Sequence, residues 1–162
     1  MYSNSCACAV ENPSDDSLLI TGGYDSKQGI KGPATGRATK YDLGINIEDL
    51  PEMNIARADH ACGYYMDYSP EVAILAYLVV GGFDSSGKRI SSTEILVYNP
   101  SKNKPMKWET VSPLPTPLSG LRAVSYQYYK LNKINIENTI FVFGKSSIDF
   151  FILHLFHHRR RG

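Results

Sequence analysis

A short β-branched run closed by two glycines recurs along this chain, and that recurrence limits the fold more than any single residue does. Leu78-Val79-Val80 runs into Gly81-Gly82-Phe83-Asp84. Leu18-Leu19-Ile20-Thr21 runs into Gly22-Gly23-Tyr24-Asp25. A third copy, Ile140-Phe141-Val142-Phe143, keeps a single glycine, Gly144, before Lys145. Self-similarity of this kind implies one supersecondary unit repeated and stacked, because one unit cannot bury its apolar face alone. The glycines do not read as a phosphate loop, which would lead into a helix; here a Tyr and a Pro follow.

Between the copies the chain reads as strands separated by turn signals. Ser3–Val10 and Ile45–Leu50 alternate, and Pro51 ends the second run. Ala56–Tyr65, Ala73–Val80, Thr93–Tyr98 and Trp108–Val111 follow, and Leu121–Tyr129 and Thr139–Phe143 open a third cycle. Turn clusters lie at Glu11–Asp16, Ser69–Glu71 and Asn99–Pro105. No segment holds a 3.6-residue apolar period, so a sheet-only fold is expected.

The 162 residues fit one domain, and 43% apolar content with 11 tyrosines supplies a core. The net charge of +1 argues against nucleic acid as the main partner, which would need a basic patch. No apolar run approaches the length of a membrane span, and no secretory signal follows Met1, so a cytoplasmic location is expected. Three cysteines, Cys6, Cys8 and Cys62, do not make a disulfide framework; they are expected to pack as small apolar residues. His60 is the one histidine inside the repeats, too few ligands for a metal. No cofactor is expected. Asp25 and Asp84 follow the glycines as turn residues.

The order Gly81-Gly82, Tyr98, Trp108, and before it Gly22-Gly23, Tyr41, Leu50-Pro51-Glu52-Met53 and Arg57-Ala58-Asp59-His60, resembles the kelch repeat. The first repeat lacks the Trp, and the third retains only Gly144 of the glycine pair. The resemblance implies an all-β, partial kelch β-propeller. It would have two complete four-stranded blades, over 1–53 and 54–115, and two strands of a third over 116–144. Residues 145–162 depart from the pattern, and translated intron sequence, a disordered segment, a genuine amphipathic or basic extension or an alternative isoform are all open there. A closed propeller needs about 4–8 blades, so the missing blades would come from a longer chain or from self-association. In this pattern Tyr41, Tyr98 and Trp108 are expected to fill the space between sheets. Arg57 and His60 are expected to bond loop backbone at the junction between blades.

The function implied is a protein-interaction module, a piece of an adaptor or scaffold such as a ubiquitin-ligase substrate receptor. Its binding surface would be drawn from the loops Ser26–Gly36, Asp84–Arg89 and Ser101–Pro105, with a protein partner and no membrane. The alternatives are a fragment of a propeller enzyme of the galactose-oxidase kind, or a truncated product without independent function. No catalytic residue is singled out, and a non-enzyme is expected.

Overall fold

A computed structural model describes residues 4–12, 15–25, 32–42, 46–68, 73–98, 106–129, 136–144 and 150–154. Every named element within them is a strand. The N-terminal sheet joins β2 (Cys8–Asn12), β3 (Ser17–Thr21), β5 (Ala38–Tyr41) and β6 (Ile47–Leu50), each antiparallel to the next. The central sheet repeats that meander with β7 (Ala61–Tyr68), β8 (Ala73–Val80), β9 (Thr93–Tyr98) and β10 (Trp108–Val111). The C-terminal sheet contains β11 (Arg122–Tyr129), β12 (Ile136–Phe143) and β13 (Phe150–His154). A two-residue pairing of β1 (Asn4–Ser5) with β4 (Tyr24–Asp25) stands beside them.

The glycine-ended strands β3, β8 and β12 each sit inside their sheets, flanked on both sides. Strands paired on both edges are shielded along the ladder, and β8, covered on both faces as well, reads as a continuous apolar run. Alternation sends successive side chains to opposite faces, and the three sheets stack by those faces. Leu19 of β3 packs with Tyr77 and Val79 of β8, Leu96 and Trp108 in one cluster. Leu78 and Val80, on the other face of β8, pack with Ile140 and Val142 of β12 in a second cluster. The central sheet is therefore covered on both sides, and the outer sheets on one side each.

All-β character holds, but the partial propeller does not. The sheets are separate; they neither close on themselves nor curl into an array of propeller blades. The repeat specifies a local meander and its contact with the next sheet, and ring closure requires a further geometric condition that these terms do not contain. Tyr41 also departs from expectation. It lies on the outward row of β5 beside Leu18 and Ile47, exposed rather than packed between sheets. Of the 145–162 segment, Phe150–His154 pairs as β13 against Phe143–Thr139, while 145–149 and 155–162 lie outside the described residues.

The cysteines depart further. Cys8 of β2 and Cys62 of β7 form a disulfide between the N-terminal and central sheets, and Cys6 is a free, exposed thiol. The reason is register. Cys8 pairs opposite Thr21, the last residue of its strand, whereas Cys62 pairs opposite Val79, one short of the end. A one-residue offset reverses the face, so the two sulfurs point at each other across the stack. With a sequence separation of 54, the bond constrains the unfolded chain, worth about 2–4 kcal/mol. Full reduction, verified by thiol counting, is expected to lower the unfolding free energy by that amount in a urea titration. An unchanged midpoint would show that packing alone joins the two sheets.

Candidate functional site

The residues with most chemical capacity gather where β6 hands over to β7, along the segment Pro51–His60. Arg57 and Glu94 are both fully buried and form an ion pair through Nη2 and Oε1. Arg57 Nη1 also donates to the carbonyls of Gly81 and Ser92, each at 3.0 Å, and Nη2 donates to Ser92 Oγ at 3.0 Å. Glu94 accepts from the backbone N–H of Asn54 at 2.8 Å and of Ile55 at 3.1 Å. The guanidinium fork and the carboxylate thus bind the linker to the central sheet from both ends. Burial draws the Arg57 pKa below its ordinary value, and Glu94 opposes that. The group remains a cation, since guanidinium starts so far above neutrality.

His60 is buried beside this pair. Its Nε2 lies 2.9 Å from Thr21 Oγ1, and Nδ1 has no hydrogen-bond partner. Burial, with the Arg57 charge adding to it, pushes the pKa down to about 3. The ring is therefore neutral, joining β3 to the linker, and among the described residues no carboxylate bonds it to make it a general base. Gly22 makes that position possible. Its φ is +60°, and a Cβ there would overlap the Arg57 carbonyl oxygen and crowd His60 Cε1. Glycine alone meets both demands. The next residue, Gly23, donates its N–H to that same Arg57 carbonyl at 2.8 Å.

The second glycine pair has the equivalent role in the central sheet. Gly81 N–H donates to Ser92 O at 3.0 Å and Gly82 N–H to Leu118 O at 2.7 Å. Trp108 is buried, with Nε1 donating to Pro51 O at 2.7 Å. Its ring fills the space between the N-terminal and central sheets while its polar edge fastens the linker. Tyr98 ends β9 opposite Leu75, and Gly144 follows β12. Arg57 bonds backbone at the junction; His60 instead bonds the Thr21 hydroxyl. Glu94, the counter-charge of the whole junction, is not among the residues that the sequence pattern singles out. A usable signal exists: a charged residue in Thr93-Glu94-Ile95-Leu96 shares its face with Leu96, where a buried apolar side chain is expected.

An open groove of about 460 Å³ lies between Tyr24, Gly32 and Pro33 on one side and Asp84–Gly87 on the other. Asp84 Oδ1 accepts from Ser86 N–H, Ser86 Oγ and Lys88 N–H at 2.9, 2.6 and 2.9 Å. The Ser86 hydroxyl first, then the Lys88 amide, hold the carboxyl below its usual range. The carboxylate is occupied in shaping its own turn, as expected for a residue after paired glycines. Of the expected binding loops, residues 26–31 and Ser101–Pro105 lie outside the described residues. Among the described residues, no group of three or more His, Cys, Asp or Glu is placed to hold a metal ion.

No protein-family model matches this chain, and a search of curated proteins finds no match. With the sheets unclosed as well, the kelch resemblance does not extend to membership. The adaptor or ubiquitin-ligase-receptor function that came only with it is withdrawn, as are its galactose-oxidase-like and truncated-product alternatives. The glycine pairs, Trp108 and Arg57 keep the structural placements described above.

Proposed function

We propose that the chain is a non-catalytic structural domain, a stack of sheets whose working parts are its outer surfaces. One observation supports this above the rest. Arg57, Glu94 and His60, the groups best suited to proton or charge chemistry, are sealed inside the junction, and their polar atoms serve linker and strand. A general acid or base has to reach a substrate proton directly or through one water. Among the described residues the open groove presents one carboxylate, Asp84, and that group already accepts three hydrogen bonds.

The disulfide ties compartment to chemistry: an oxidising surrounding keeps Cys8–Cys62 closed, and a reducing cytoplasm would hold two thiols.

Two measurements test the proposal. Diethyl pyrocarbonate should leave His60 unmodified in the folded chain and modify it once urea is added. Equilibration with copper or zinc followed by elemental analysis should leave far less than one equivalent per chain. Rapid modification of His60 in the native state, or a stoichiometric metal, would overturn it.

A further inference from the structure

The stack repeats one packing step twice, and the two ends carry the two halves of a third. Relative to the closing glycines, Tyr77 and Val79 of β8 occupy the places of Leu18 and Ile20 in β3 and of Ile140 and Val142 in β12. In the central and C-terminal sheets these places face back toward the preceding sheet. The intervening places, Leu19 in β3 and Leu78 and Val80 in β8, face forward to the next sheet. Each internal interface is therefore a forward face against a back face.

At the ends both kinds of face reach solvent. The back face of the N-terminal sheet shows Leu18, Tyr41 and Ile47, the last 66% exposed. The forward face of the C-terminal sheet shows Val124, Tyr126 and Phe143, with Val124 56% exposed. Charge matches as well. Glu11 and Asp49 are exposed on the outward rows of β2 and β6, and Arg122 is exposed opposite Phe143 on β11.

We propose that a second copy of this chain docks head to tail. The forward face of one C-terminal sheet covers the back face of the next N-terminal sheet and continues the internal packing. Such a contact is heterologous: the two surfaces differ, so the dimer retains one free face of each kind, one on each copy, and association runs past the dimer. Arg122 of one copy would then face the acidic row of the next and set the direction of docking.

The test uses the full oxidised chain and two exposed substitutions, with circular dichroism and thermal melts confirming that each variant folds. Sedimentation should show wild-type mass rising with concentration beyond two copies. Ile47→Glu alone and Val124→Glu alone should each weaken association by at least about tenfold. Mixed together, they should form a one-to-one pair, because one supplies an intact forward face and the other an intact back face. A charge exchange gives an independent readout: Arg122→Glu should weaken association, and mixing it with Asp49→Lys should restore it. Monomeric wild type at every concentration would overturn the proposal, whatever other proteins bind these faces. So would a dimer of Ile47→Glu alone as tight as wild type, since that would join like faces.

Discussion

Glu94→Gln is expected to destabilise the folded chain by about 3–5 kcal/mol, measured by urea unfolding. The substitution keeps shape and volume but leaves the buried Arg57 guanidinium without its counter-charge. Arg57→Met should cost a similar amount, because it strands the Glu94 carboxylate and takes a donor from each of the Gly81 and Ser92 carbonyls. The double variant Arg57→Met with Glu94→Gln should be less destabilised than the two singles combined, since no unpaired charge remains buried. Recovery should nevertheless be partial. The Gly81 carbonyl stays without its Arg57 donor, while Ser92 O keeps the Gly81 N–H, and an unsatisfied buried acceptor costs about 1–3 kcal/mol. Single variants within about 0.5 kcal/mol of wild type would mean that water reaches the pair. A fully additive cycle would mean that Arg57 and Glu94 act separately.

Acid should unfold the chain through His60 before it reaches the depressed carboxylates. The folded pKa of about 3 lies below the ordinary histidine value of 6.5. Between those values the unfolded chain binds the proton and the folded chain does not. Stability is therefore fully present above pH 6.5 and is lost as pH falls toward 3. The full span, from 6.5 to about 3, corresponds to about 5 kcal/mol, at about 1.36 kcal/mol for each pKa unit. Asp84, held below the ordinary carboxylate value of 3.8, contributes at lower pH and in the same direction. Measuring unfolding free energy from about pH 7 to about pH 3.5 in wild type and His60→Gln isolates the ring. The variant loses some stability at neutral pH but should show a much flatter slope over this window. Parallel slopes would assign the acid sensitivity to other groups.

Much of the local structure is legible in the sequence because it rests on short-range rules. The β-branched runs before Gly22 and Gly81 announce buried central strands. Pro51 follows the end of β6, and Asp84 after the second glycine pair marks a turn, whereas Asp25 after the first pair, expected as a turn residue too, lies in β4 opposite Asn4. Trp108 is expected between sheets and is there. Tyr41 is expected there too and is not, because its parity on β5 sends it to the outward row with Leu18 and Ile47. A Tyr signals a half-buried strand without saying which half. Arg57 is recognisable as a junction residue, and Glu94 stands out as a charge in an otherwise apolar strand, but their pairing is not legible, since the two lie far apart along the chain.

The sequence by itself determined that strands recur, where they end, and that each unit must lean on a neighbour, because alternation and glycine conformations act over a few residues. It could not settle which faces meet. The Cys8–Cys62 bond depends on a one-residue difference in register between two sheets, and register is a property of strand pairs. The Arg57–Glu94 pair depends on a linker crossing the edge of a sheet that forms later in the chain. The absence of a closed propeller depends on how three sheets stack in space, a condition set by the sum of their interfaces. Those three features belong to the tertiary structure because each requires partners that no local stretch contains.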